Sequence, residues 1–201
     1  MAGLIYYDIT IHDTVADILE VLKTIPNFWD EIGETTLIKG GITLTLSTQG
    51  TSMSGYGSTI SLTSLFANNA SRVIAATAKG LVIYCEGSGR YQAAAIGCDT
   101  NGNWGGCTGA AGSSGSSSIA TVGTLLAENL TSTSFESGTV VASAVNTQII
   151  DLAADKGNFI FDDLRRVLQT PLGIRGYSGK LTMPNGEKYV KCGAFALRYT
   201  E

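Results

Sequence analysis

Residues 42–62 read ITLTLSTQGTSMSGYGSTISL, and this stretch decides the class of fold. Its first six residues, 42–47, alternate aliphatic and hydroxyl side chains, and Ile60 and Leu62 repeat the pattern. Alternation with period two is typical of strands that bury one face. Residues 48–58, TQGTSMSGYGS, are rich in Gly and Ser and predict a loop between the two strands.

The chain around this stretch carries very little charge. Residues 40–150 contain only seven charged side chains, and the whole chain has 15% charged residues where a soluble protein normally has about 25%. Weak repulsion between copies favours association, so we expect a homo-oligomer. The net charge is −4, and no run of Lys or Arg gathers on a predicted element, so we do not expect a nucleic-acid partner.

Neither a membrane nor a secretory pathway is indicated. Residues 1–13 lack a basic segment followed by an apolar run, which predicts synthesis in a cytoplasm. No window approaches the roughly 18 apolar residues of a spanning helix, so we expect no membrane partner.

Short strands separated by turns continue to the end of the chain. This spacing predicts a mainly β fold, a β-sandwich or jelly-roll body. The Gly/Ser segment 109–118 predicts a flexible loop, and Pro184-Asn185-Gly186 predicts a hairpin turn. The other predicted strands are 72–77, 81–86, 90–97, 119–126 and 139–145.

The N-terminus predicts a strand or extended arm over residues 4–11 and then an amphipathic helix. Asp13 offers an N-cap, and Pro26 ends the helix. The apolar stripe and the aromatic residues after it could cover the β domain or contact a neighbouring subunit. The candidate subunit or virion contacts are Val15, Ile18, Leu19, Leu22, Phe28 and Trp29.

A second, short helix is predicted over residues 161–169. Phe161, Leu164 and Leu168 share a helical face, and Thr170-Pro171 would end it. The predicted organisation is an N-terminal arm and helix, 1–34, used for attachment or subunit contact, and a β body, 35–201.

The sequence offers no recognisable catalytic machinery. His12 is the single histidine and lies in a connector, and we find no nucleophile elbow and no phosphate-binding or dinucleotide-binding loop. A hydrolase built on carboxylates would need acidic groups such as Glu86 and Asp99 to meet, which their spacing does not predict. We therefore expect no enzyme and no cofactor.

The four cysteines do not form a metal-binding pattern, since there is no C-x-x-C pair and no histidine cluster. Buried free thiols are one interpretation. The other is a disulfide between Cys98 and Cys107 that closes the loop between them.

The loop after Cys98 contains the candidate ligand-binding residues. Its first residues match the start of a calcium loop, but Trp104 and Ala110 occupy the positions that need Gly and Glu, so we expect no metal. An exposed tryptophan among polar side chains would suit a surface glycan, with Tyr56 or Tyr91 as further platforms, whereas a core tryptophan is the plainer interpretation. The candidate residues are Trp104, Asp99, Asn101 and Asn103.

The Gly/Ser segments TQGTSMSGYGST and GAAGSSGSSS, together with the closing PNGEKYVKCGAFALRYT, give the chain a family resemblance. It resembles a small virion structural protein of a tailed bacteriophage. The resemblance implies a non-catalytic subunit of the capsid decoration, neck, tail or baseplate, with other virion proteins as partners and the virion as its location. A carbohydrate-binding or receptor-binding module is the alternative function.

Overall fold

The structure, a computed structural model, describes residues 2–67, 69–87, 90–99, 101–111, 119–123, 139–144, 147–151, 163–168, 179–192 and 195–201. These residues form three antiparallel sheets and two helices, which confirms the predicted mainly β fold. The helices are α1 (Val15–Lys23) and α2 (Thr63–Phe66). The strands are β1 (Leu4–Asp8), β2 (Glu31–Ile32), β3 (Thr36–Lys39), β4 (Ile42–Ser47), β5 (Gly50–Gly55), β6 (Ser58–Ser61), β7 (Ala70–Thr77), β8 (Gly80–Gly87), β9 (Arg90–Cys98), β10 (Trp104–Ala111), β11 (Ile119–Gly123), β12 (Thr139–Ala144), β13 (Thr147–Asp151), β14 (Leu164–Leu168), β15 (Gly179–Thr182), β16 (Lys188–Cys192) and β17 (Phe195–Tyr199).

The central sheet has the order β1-β7-β8-β9-β10-β11, so all but its first strand follow one another as hairpins. Its middle strands are buried on both faces. Along β8, Leu81 and Ile83 belong to one hydrophobic cluster, while Val82 and Tyr84 belong to another. Successive side chains of a strand point to opposite faces, so the two clusters lie on the two sides of this sheet. The apolar run at 81–85 is therefore the middle of a three-layer stack.

The first cluster joins the central sheet to a small sheet of order β2-β3-β4-β5-β6. In β4, Ile42, Leu44 and Leu46 are buried and the residues between them are half-exposed, as the alternation predicts. The prediction of a loop over 48–58 is wrong for its central part, because Gly50–Gly55 forms β5. Strand β5 pairs with both β4 and β6 and buries Met53, so cross-strand pairing overrides its Gly/Ser composition.

The helix α1 covers the end of this first cluster. Thr14 is its N-cap and accepts a hydrogen bond from the Asp17 backbone N–H at 3.1 Å, so the cap lies one residue after the predicted Asp13. The helix buries Ile18, Leu19 and Leu22 against the sheets. No helix in the described part of the chain is long and apolar enough to cross a membrane.

The second cluster joins the central sheet to a C-terminal sheet of order β12-β13-β14-β17-β16-β15. The predicted helix over 161–169 is wrong for residues 164–168, which form β14 between β13 and β17. Leu164 lies in the second cluster and pairs with Leu197, so partners distant in sequence decide the conformation. Residues 161, 162 and 169 lie outside the described residues.

The turn at the end of the chain confirms the predicted hairpin. β15 and β16 pair antiparallel, and Gly186 adopts φ +85° between Asn185 and Glu187. The predicted loop over 109–118 is wrong at its beginning, because 109–111 complete β10. Residues 112–118 lie outside the described residues.

The N-terminal segment is built into the body. β1 pairs with β7 at the edge of the central sheet, and Gly3 bridges to Thr200, the residue after β17. Since α1 also packs on the first cluster, residues predicted as an attachment arm contribute to the protein's own core. A role of this segment in attachment stays a prediction.

Candidate functional site

The structure places most of the predicted subunit contacts inside the molecule. Ile18, Leu19, Leu22 and Phe28 are at most 6% exposed and belong to the first cluster. This burial means that these four side chains serve the core of their own subunit. Val15 and Trp29 are half-buried at its margin, and the Trp29 Nε1–H donates to the Leu22 carbonyl oxygen at 2.8 Å. Contact with another subunit through these two residues stays a prediction.

Trp104 is a half-buried residue that packs on the first cluster. Its ring meets the Phe28 ring edge-on, with 6.0 Å between centroids, and the Lys39 Nζ lies 4.9 Å from its centroid. The backbone of Gly40 lies against the same indole. With these neighbours around it, Trp104 is not a freely projecting sugar platform, so the plainer interpretation of a core tryptophan fits its surroundings.

The polar residues before Trp104 form a self-contained turn between β9 and β10. The Asp99 Oδ1 accepts from the backbone N–H groups of Asn101 and Asn103, both at 2.8 Å, and Oδ2 accepts from the Asn103 side chain at 3.0 Å. Partial burial opposes ionisation of Asp99, but these hydrogen bonds outweigh it and lower its pKa. The predicted loop residues thus lie together, and their hydrogen bonds serve the turn itself.

Beside Trp104, the side chains of Asp30, Lys39 and Tyr56 meet at the Gly40-Gly41 turn between β3 and β4. Asp30 accepts from the Gly40 N–H at 2.6 Å and from the Lys39 Nζ at 2.8 Å. The hydrogen bond from the Gly40 N–H has the largest effect on Asp30, and the one from Lys39 has the next largest. Together they hold the pKa of Asp30 below its ordinary value. The Gly40 carbonyl oxygen accepts from the Tyr56 hydroxyl at 3.4 Å. We call Asp30, Lys39, Gly40, Gly41 and Tyr56 the turn site.

A second feature is the outer face of the small sheet. The register aligns its outward side chains in two rows across the strands, and these side chains are half-exposed or exposed. We call the hydroxyl residues of both rows the hydroxyl face. Ile38 lies beside them. Strands β3–β6 place no charged side chain on this side of the sheet. One row is Thr36, Thr45, Ser52 and Ser61, and the other is Thr43, Ser54 and Thr59.

The sequence predicts part of this face. The hydroxyl residues of β4 follow from the alternation in 42–47. The Gly/Ser composition predicts a loop at Ser52 and Ser54, whereas these residues lie on β5, which joins β4 to β6 in both rows. The signal was the shorter alternation Thr51-Ser52-Met53-Ser54, in which Thr51 and Met53 are buried.

The cysteines are all buried and free, which confirms the interpretation as free thiols. Cys98 pairs with Trp104, whose ring packs on the first cluster, whereas Cys107 lies in the second cluster. The two thiols therefore lie on opposite faces of the central sheet, and the disulfide interpretation is wrong. Burial raises the pKa of the Cys85 thiol to about 12 and also raises that of Cys192.

The structure also places three candidate catalytic groups of the sequence, His12, Glu86 and Asp99. His12 Nε2 lies 2.7 Å from Asp8 Oδ2, and the His12 backbone bridges to Ser71. Glu86 and Asp99 lie toward opposite ends of β9, so these two carboxylates do not share a cleft. In the part of the chain that the structure describes, no group of three or more His, Cys, Asp or Glu side chains could hold a metal ion.

A shallow groove lies between the start of α1, the β4–β5 turn and α2. Its volume is about 370 Å³, and its wall includes Val15, Thr51, Thr63 and Phe66. None of the residues in its wall carries a charge. The groove therefore offers hydroxyl groups and apolar carbon to a contacting molecule.

Comparison of the chain with protein-family models, with curated proteins and with solved structures finds no match.

Proposed function

We propose that the protein is a non-enzymatic structural subunit that associates with copies of itself, and with other proteins, in a bacteriophage particle. The observation that carries this proposal is the hydroxyl face, an exposed sheet surface without charged side chains on β3–β6. The charge-poor sequence and the Gly/Ser segments support the same role.

The hydroxyl face is suited to contact with an identical surface. Ser and Thr lose less rotamer entropy on burial than Lys or Glu, and no residue that β3–β6 place on this face takes an ion out of water. The nearest charge that this sheet places on this side is Glu31 of β2, which pairs with Ile38 at the margin of the face. Each hydroxyl can both donate and accept a hydrogen bond, so two copies of the face can satisfy each other. Burying a surface of this composition therefore costs little free energy.

The edge of the small sheet extends this argument. Among the described strands, β6, Ser58–Ser61, is the last of its sheet, and it contains neither a charged residue nor a proline. Natural edge strands commonly carry such residues to prevent pairing with another chain. Because β6 carries no charged residue and no proline, pairing or contact with another chain at this edge is favoured.

Two finer features belong to the proposal. The stacked sheets are compatible with a sandwich-type body, and the jelly-roll strand order stays a prediction. The N-terminal amphipathic helix would contribute to subunit contact through its half-buried margin, Val15 and Trp29.

The test is the mass of the protein in solution, measured by light scattering after size exclusion over a concentration series. We expect a discrete multimer. Thr45→Lys places a charge in the middle of the hydroxyl face and should raise the dissociation constant by at least about tenfold.

The matched control is Thr182→Lys, the same substitution at an exposed position of β15. It should leave the mass unchanged. A protein that remains monomeric at every concentration, or a Thr45→Lys multimer as tight as the wild type, would rule out assembly through this face.

A further inference from the structure

Tyr56 occupies a position that is unusual for a large aromatic residue. It forms, with Gly57, the two-residue turn between β5 and β6, where their φ angles are +51° and +81°. Turns of this kind favour Asn, Asp or Gly because other side chains are disfavoured at positive φ. Tyr56 is also 65% exposed, so burial in the core does not explain it.

The neighbouring turn holds the Tyr56 ring in a defined orientation. The Tyr56 hydroxyl donates to the Gly40 carbonyl oxygen at 3.4 Å. A Cβ atom placed on Gly41 would lie 3.6 Å from the Tyr56 hydroxyl oxygen and 3.7 Å from Cζ, which is ordinary van der Waals contact. One part of the ring thus rests on the glycine turn while most of its surface faces water. The ring is an oriented, exposed platform.

A carboxylate lies at the same turn. Asp30 accepts from Gly40 and Lys39, and its side chain is 48% exposed. Since a carboxylate has about four acceptor sites, Asp30 can accept further hydrogen bonds from a ligand. The Lys39 ammonium is already engaged by Asp30 and by the faces of Phe28 and Trp104. The turn site therefore favours a neutral ligand that donates hydrogen bonds.

We propose that the turn site binds a neutral hexopyranose, with the sugar ring stacked on Tyr56 and its hydroxyl groups donating to Asp30. Tyr56 and Asp30 both hydrogen-bond to Gly40. An aromatic face and a polar acceptor at one turn match the apolar C–H face and the hydroxyl rim of a pyranose. This site differs from the one predicted at Trp104, which supports the turn through Gly40. The proposal is independent of assembly through the hydroxyl face.

The test is saturation-transfer NMR with the full chain and the methyl pyranosides of glucose, galactose, mannose and N-acetylglucosamine. We expect at least one of them to bind. Tyr56→Ala should weaken that binding by about tenfold or more, while Tyr56→Phe, which keeps the ring, should retain most of it.

A second variant separates binding from folding. Tyr56→Asn places a residue that tolerates positive φ in the turn, so it should keep or raise the melting temperature while abolishing binding. If none of the four sugars binds, or if binding is the same in Tyr56→Ala and Tyr56→Asn as in the wild type, the proposal is overturned. A contact of Tyr56 with a second copy would instead change the mass of Tyr56→Ala in light scattering without a sugar signal, which also overturns it.

Discussion

The indole of Trp104 lies directly on the backbone of Gly40. A Cβ atom added to Gly40 would stand 2.0 Å from both Cγ and Cδ1 of the ring, and Gly40 has φ +56°. Both the conformation and the space therefore require glycine at this position. The contact connects β10 of the central sheet to the β3–β4 turn, so two sheets and the turn site depend on it.

Gly40→Ala should destabilise the protein by about 2–5 kcal/mol, since a left-handed residue with a side chain costs roughly 1–2 kcal/mol and overpacking adds about 1–3 kcal/mol. Equilibrium unfolding in urea measures the loss. The control is Gly57→Ala, where φ is +81° but nothing lies within 4 Å of the added Cβ. That variant should lose only about 1–2 kcal/mol, and equal losses in the two variants would argue against the Trp104 contact.

The pKa of Asp30 should depend on Lys39. Its value lies below the ordinary 3.8 because the Gly40 N–H and then the Lys39 ammonium stabilise the carboxylate. In Lys39→Met, carboxyl NMR should therefore show the pKa of Asp30 rising toward 3.8. Asp8 is the internal control. Burial opposes its ionisation, but hydrogen bonds from His12 and Thr10 lower its pKa. Since Lys39 is not among these groups, the pKa of Asp8 should be the same in Lys39→Met as in the wild type. An Asp30 pKa that does not move would contradict the ion pair.

The lowered pKa of Asp30 predicts that the stability of the protein depends on pH. A lowered pKa in the folded state means that the contribution of Asp30 is fully present above the unfolded value of 3.8 and is lost as pH falls through the lower folded value. Melting temperatures of Asp30→Asn and wild type should therefore converge as the pH is lowered below about 3.8. A constant difference between them at every pH would show that Asp30 acts through geometry alone.

The thiols should be unreactive in the folded protein. All four cysteines are buried and free, and burial raises the pKa of Cys85 to about 12, which removes the reactive thiolate. A thiol reagent should modify almost nothing in native buffer and four groups in denaturant, without prior reduction. Only two reactive groups in denaturant would reveal a disulfide, and peptide mapping that assigned it to Cys98 and Cys107 would contradict their opposite-face arrangement.

Strand β9 requires a small side chain at position 95. Ala95 is 1% exposed in the second cluster and pairs with Val82 and Cys107. Ala95→Leu should cost about 1–3 kcal/mol or more, because the added atoms have no space between two packed sheets. Ala67→Leu, at an exposed position, should cost less than about 0.5 kcal/mol. Similar melting temperatures for the two variants would contradict burial of this face of the central sheet against the C-terminal sheet.

Some of the fold could be predicted because its signals are local. Alternation in 42–47 indicates a strand with one buried face, and Asn185-Gly186 indicates a turn where φ is positive. Both depend on the conformational preferences of neighbouring residues, which do not require knowledge of the rest of the chain. The small number of charged residues between positions 40 and 150 can also be counted directly in the sequence.

The remaining features depend on partners far away in the chain. Residues 164–168 have a helical spacing of apolar side chains, yet pairing with β13 and β17 makes them a strand. Residues 50–55 have the composition of a loop, yet their position between β4 and β6 makes them a strand as well. Intrinsic propensities differ by less than about 1 kcal/mol per residue, so hydrogen bonds and burial supplied by neighbouring strands decide such cases.

In the candidate sites too, some features can be read from the sequence and others depend on contacts between distant segments. The residue types alone show which positions carry hydroxyls, aromatic rings and carboxylates, and that charge is scarce between residues 40 and 150. Three features follow from the folded chain instead: Trp104 supports a turn, Tyr56 is exposed, and hydroxyls from separate strands align in rows. Exposure and alignment are properties of packed sheets, and packing is set by contacts between segments that are distant in sequence.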